Sequence, residues 1–144
     1  MNFQLTEEQK LIQKTAREFA AEHLAPGVAD RDEKMEFPAE QIKMLGEMGF
    51  MGMMVPEDWG GPGFDTVSYS LALEEIAKVD ASAAVPVSVN NSLVCALLYK
   101  YGTDDQKEKE AQRALHARLS QDDREKAYKW VAYYKALLDE DDGP

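Results

Sequence analysis

Tyr101-Gly102-Thr103-Asp104-Asp105-Gln106 holds one helix end and the next helix start within six residues. Gly102 is a natural helix stop, since glycine accepts terminal conformations that side chains resist. Thr103 and Gln106 then stand at capping-box spacing: the threonine hydroxyl can cap the new helix, and the glutamine can reach back to the cap amide. The same grammar recurs at the other end of the chain. Thr6-Glu7-Glu8-Gln9 is a second capping box, and Gly49 is a second stop.

Outward from these marks, apolar residues repeat at helical spacing. Leu11, Ile12, Thr15, Phe19 and Ala20 define one face of a first helix, which Pro26-Gly27 ends or bends. A second helix is predicted from near Pro38, burying Ile42, Leu45 and Met48. Residues 50–64, rich in glycine and proline, read as a loop whose aromatic and methionine side chains pack down. Asp65 or Thr66 caps a third helix to about Asp80. Ser82 caps a fourth that reaches Tyr101, with Pro86 tolerated near its first turn. A fifth begins at Thr103 and continues through Ala111 and Leu115.

Ser120, with Asp123 three residues on, caps a predicted sixth helix to about Leu138. Ala127, Val131, Tyr134 and Leu138 share a narrow band on it, which Trp130, Tyr133 and Leu137 widen to roughly 160°. An arc that wide belongs in a bundle core or against a partner. The expected fold is therefore all-α, a single-domain helical bundle of about six helices.

Bulk properties narrow the partners. The 144 residues suffice for one domain with a core. Net charge is −11, from 27 acidic against 16 basic residues, which argues against nucleic acid or an anionic membrane surface. The single cysteine, Cys95, offers no internal disulfide and reads as a small buried hydrophobe. No apolar stretch is expected to match a membrane span, and no signal peptide is read, so a soluble cytoplasmic protein is expected.

Local chemistry is sparse. His23 and His116 are far apart and lack ligand spacing, so no metal site is expected. Glu74-Glu75 read as a solvated face, because adjacent helical residues point about 100° apart. Gly60-Gly61-Pro62-Gly63 fits neither phosphate-loop spacing and reads as a packed loop. Met44, Met48, Met51, Met53 and Met54 read as core filling.

Taken in order, Val55-Pro56-Glu57-Asp58-Trp59-Gly60-Gly61-Pro62-Gly63, the run Ser70 to Asp80, Asn91-Ser92-Leu93 and Tyr101 to Lys107 resemble the N-terminal domain of an acyl-CoA dehydrogenase. The resemblance covers residues 1–109. From Glu110 the residues depart from the family pattern, and 110–144 read as a non-family helical extension packing on the domain. The resemblance implies an FAD-dependent parent chemistry, the α,β-dehydrogenation of acyl-CoA thioesters. It also implies a subunit in which a middle β domain and a C-terminal helical domain hold the flavin. The N-terminal domain would wall part of the acyl pocket, and by position the wall residues are Val85, Pro86, Val89, Asn90 and Leu93.

The family's flavin-contacting strands and catalytic glutamate have no counterpart in this sequence. No catalytic residue and no bound FAD are therefore expected of this chain alone. Two functional classes stay open. One is a helical scaffold or interaction protein built on such a domain, an engineered chimera included, with a protein partner or self-association through apolar helix faces. The other is a truncated dehydrogenase that keeps part of the acyl pocket and binds acyl-CoA weakly.

Overall fold

In a computed structural model, which describes residues 4–110, the first helix, α1 (Glu7–Phe19), starts at the anticipated capping box. The Thr6 hydroxyl accepts from the Gln9 amide at 3.2 Å, and the Gln9 side-chain carbonyl accepts from the Thr6 amide at 3.0 Å. The helix continues through a π turn at Ala20–Leu24. Its buried face is Gln9, Ile12, Ala16 and Phe19. Leu11, expected on that face, is exposed. It lies about 100° round from Ile12, on the side away from Ala16.

A short helix that the sequence reading passed over follows, α2 (Val28–Lys34). It buries none of its residues, so it carries no apolar period for a pattern to catch. Left-handed residues bracket it, Gly27 at φ 75° and Met35 at φ 52°. Helix α3 (Ala39–Glu47) begins after Pro38 and buries Leu45, with Ile42 packed at the core edge. Met48, expected in the core, is exposed because the helix stops just before it and Gly49 turns the chain left-handed.

The stretch from Phe50 to Phe64 folds on itself around two 3-10 turns, Phe50–Gly52 and Glu57–Trp59. Phe50 and Met53 enter the core. The Phe64 amide donates to the Met53 carbonyl at 2.8 Å, and the Gly63 amide to the Val55 carbonyl at 2.9 Å. A β-carbon on Gly61 would stand 2.0 Å from the Val55 carbonyl oxygen, so this crossing admits no side chain.

Helix α4 (Thr66–Val79) is capped by Asp65, whose carboxylate accepts from the Ser68 amide at 2.7 Å. Helix α5 (Ala81–Val89) is capped by Asp80 and not by Ser82: Asp80 accepts from the Ala83 amide at 3.0 Å, and the Ser82 hydroxyl donates to the same carboxylate. The carboxylate is the stronger acceptor, and the extended Asp80 backbone presents it at the cap. A π turn at Asn90–Cys95 joins α5 to α6 (Ala96–Tyr101) without a break.

After Gly102 the Thr103–Gln106 capping box forms, with the Thr103 amide donating to Gln106 Oε1 at 2.8 Å, and residues 104–110 are helical. The course of the fifth helix past 110, and the whole of the sixth, lie outside the described residues. Among the described residues there is no strand, and the all-α expectation holds.

The core lies where α1, α4 and α5 meet, with α1 along α4. Ile12, Ala16, Phe19, Leu24, Leu45, Ile76 and Val87 fill it. Three side chains cross between α1 and the Asp65–α4 segment: Gln9 to Asp65 at 2.7 Å, Gln13 to Glu75 at 3.1 Å, and Arg17 to both oxygens of Glu75. Glu75 is only 4% exposed, which corrects the reading of Glu74-Glu75 as a solvated pair. Glu74 does face solvent, where it meets Lys78.

Candidate functional site

The helix Ala81–Tyr101 is the element from which a site can be built. It holds no charged residue from Ala81 to Tyr99. Its 21 residues have a best-window mean hydropathy of 1.5, so by length and composition it could cross a membrane. This corrects the expectation that no apolar stretch matches the length of a membrane span. Only 22% of that window is buried within the domain.

One side is fixed to the body by two asparagines. Asn91 is fully enclosed: its carbonyl accepts from the Met53 amide at 2.7 Å, and its amide donates to the Phe50 carbonyl at 2.8 Å and the Val87 carbonyl at 2.9 Å. The Asn90 amide donates to the Met51 carbonyl and approaches Cys95 Sγ at 3.6 Å. Both side chains thus stitch α5 and its π turn to the loop that starts at Phe50. Buried side-chain amides of this kind hold a loop rigidly, because each unmade bond would leave a desolvated group.

The other side is open and apolar. Val85 is 60% exposed, Val89 42%, Leu93 56%, Leu97 52% and Tyr101 70%. These residues recur every fourth position. On a straight α-helix such a row drifts about 40° per step. The π turn between Val89 and Ala96 has more residues per turn and rotates the row back, so it keeps to one flank.

Of the five residues the resemblance assigned to a pocket wall, Val85, Val89 and Leu93 share this open row. Pro86 and Asn90 are half-buried beside it, and Asn90 spends its amide on the body. Leu97 and Tyr101 extend the same row. Their spacing from Leu93 could have found them.

Cys95 sits at the edge of a cavity of about 320 Å³ lined by Met54, Val55, Asn91, Ala96, Tyr99 and Lys100. Burial pushes its thiol up to about 11, and the nearby Glu110 carboxylate adds to the effect. The shift disfavours the thiolate, and the side chain is half-buried where the sequence suggested a fully buried position. Among the described residues no group of three or more His, Cys, Asp or Glu could hold a metal ion.

Taken together, this is a helical domain with one well-packed side and one long uncharged face that its own described core leaves open. The chain belongs to the acyl-CoA dehydrogenase family: the family's N-terminal domain matches residues 6–117, running past Lys109. It is 41% identical over 108 residues to a probable acyl-CoA dehydrogenase, YngJ, of Bacillus subtilis, covering 75% of this chain and 28% of that protein. It is 44% identical over 105 residues to the mitochondrial short-chain specific acyl-CoA dehydrogenase of Bos taurus, covering 73% of this chain and 26% of that one.

Among solved structures, butyryl-CoA dehydrogenase from Megasphaera elsdenii superposes with a TM-score of 0.74 at 38% identity, over 81% of this chain and 31% of that chain. A chain from work on the electron transferring flavoprotein of Acidaminococcus fermentans superposes with a TM-score of 0.77 at 41% identity, over 82% of this chain and 31% of that one. The chain thus spans between a quarter and a third of the length of these relatives.

The family is FAD-dependent. The described residues do not fit a flavin pyrophosphate at the glycine-rich loop. The amides of Gly60, Gly61 and Gly63 donate to the carbonyls of Glu57, Pro56 and Val55, at 2.9, 3.1 and 2.9 Å. A phosphate cradle needs such amides free and pointing at the ligand. Here the loop spends them on itself, as expected for a packed loop.

Proposed function

We propose that this chain serves as the substrate-side helical module of an acyl-CoA dehydrogenase. It offers the Val85–Val89–Leu93 row as one wall of an acyl-chain site, and the flavin and the proton-abstracting base come from domains other than the described one. The observation that carries the reading is that open row on an uncharged, well-anchored helix. Apolar area of this extent stays exposed only where something is meant to cover it. An alkyl chain suits it, since the row presents methyl groups and no charge. The match of the family's N-terminal domain to residues 6–117 supports this reading.

Replacing the matching N-terminal segment of Megasphaera elsdenii butyryl-CoA dehydrogenase by residues 1–109 tests it. The hybrid is expected to oxidise an acyl-CoA. Val89→Trp in the hybrid is expected to lower kcat/KM for longer acyl chains more than for short ones. A folded, flavin-bound hybrid whose chain-length profile ignores Val89→Trp would overturn the assignment.

A further inference from the structure

The open row leads, at its N-terminal end, to a cavity. Ala81, the first residue of α5, stands four before Val85 and is exposed. It lines a cavity of about 330 Å³ between α2 and the junction of α4 with α5. Four helical residues rise about 6 Å, and Ala81, Val85 and Val89 fall within about 80° of one another around the helix. A ligand lying along Val89 and Val85 therefore meets the mouth of this cavity one turn further on.

The lining suits the end of an alkyl chain. Val28 and Ala29 contribute from α2, and Val79 and Ala81 from the α4–α5 side. Two of the polar groups there are already engaged: Asp80 accepts from Arg31, from the Ser82 hydroxyl and from the Ala83 amide. Asp32, exposed at the rim, disfavours an anionic group and is indifferent to an uncharged tail. The cavity also gives α2 a purpose that core filling does not, since none of its residues is fully buried. Arg31 props the helix in place, donating to the Leu24 and Pro26 carbonyls and to Asp80 at 2.9 Å. An ion pair so little exposed is costly to desolvate, and this one holds α2 beside the α5 N-terminus with the cavity between them.

We infer that this cavity is the far end of the acyl site, taking the terminal methylenes of an acyl chain long enough to run past Val85. The inference rests on the acyl-wall reading. It makes Ala81 and Ala29, one on each side of the cavity, the residues that set the longest chain admitted.

The test uses hexadecanoyl-CoA carrying a diazirine at its last carbon, photolysed with the full-length chain, with the adducts mapped by peptide mass spectrometry. Adducts are expected within residues 28–32 and 79–82, and unmodified hexadecanoyl-CoA should compete them away. Ala81→Phe, which fills the mouth, should lower them roughly tenfold, since a misfit of one methylene in an apolar site already counts for about that much. Ala29→Trp fills the cavity from the α2 side and should do the same, so the result does not hang on one variant folding. Competed adducts confined to residues 85–97 would overturn the cavity assignment and leave the acyl wall standing. Competed adducts at 28–32 and 79–82 that both variants leave unchanged would overturn the roles given to Ala81 and Ala29. A folded chain with no competed adduct would overturn the wall and the cavity together.

Discussion

Arg17 on α1 and Glu75 on α4 form a two-pronged pair: Nε and Nη2 each stand 3.0 Å from a different carboxylate oxygen, 58 residues apart in sequence. The arginine is largely solvated and the glutamate is enclosed. The pair therefore works as a clasp whose buried half cannot be rehydrated without separating the two helices. Gln13 and Lys78 add further donors at 3.1 Å each, so the carboxylate remains charged although buried.

That charge sets a pH dependence. The bonds from Arg17 hold Glu75 down at about 2 against an ordinary 4.5, with burial opposing and Lys78 assisting. Between those values the unfolded chain carries the proton that the folded chain refuses, so acid favours unfolding. Stability is expected to fall as pH drops from about 5 toward 2, and urea titrations across that range would check it. Glu75→Gln should flatten the dependence. At neutral pH it should cost about 1–2 kcal/mol, because charged bonds become neutral ones. Asp65 and Asp80, also held below their usual range, leave a residual slope in the variant.

Asp80 both caps α5 and receives Arg31 at 2.9 Å, while Arg31 also donates to the Leu24 and Pro26 carbonyls. Asp80→Ala should lose about 3–5 kcal/mol, since it strands a mostly buried guanidinium and uncaps a helix. Asp80→Ser should recover only the cap. Thermal unfolding of the two variants separates the contributions.

Asn91→Leu is a near-equal-volume change that should nonetheless destabilise by about 3 kcal/mol or more, because the Met53 amide and the Phe50 carbonyl lose partners they cannot replace with water. Amide hydrogen exchange at Met53 should accelerate well beyond the effect on α1. Equal protection at Met53 in both proteins would contradict the role given to Asn91.

Cys95 should react sluggishly. With its thiol near 11 against an ordinary 9.0, the folded chain holds about 100-fold less thiolate at pH 8 than the unfolded one. Alkylation rates in native buffer and in urea, compared with a model thiol, are the check.

The helix frame was legible wherever a boundary is written in a short span. Thr6 with Gln9, Thr103 with Gln106, Asp65, Gly49 and Gly102 each act within four residues, so their meaning does not depend on the rest of the chain. What escaped depends on distance. Nothing near Glu75 announces that Arg17 and Gln13 will reach it from another helix, and a Glu-Glu pair on a polar stretch ordinarily faces water. Helix α2 escaped because none of its residues is fully buried, so it shows no apolar period. Asp80 displaced Ser82 as cap because both fit the spacing, and only the extended backbone at Asp80 decides between them. In the candidate site, residue positions came from the family pattern, while the split between Val85, Val89 and Leu93 on the open row and Asn90 turned inward needed the π turn and the loop beneath it.

The reach of Arg17 and Gln13 to Glu75 also has a clock attached. A ribosome adds roughly 5–20 residues per second. At that pace α1 is made about 3–12 s before the stretch of α4 that it must grip. For those seconds Ile12, Ala16 and Phe19 lack the α4 face they pack against, and a holding chaperone is a surface that can shield them. The domain is thus committed to folding late in its own synthesis, once Glu75 has emerged.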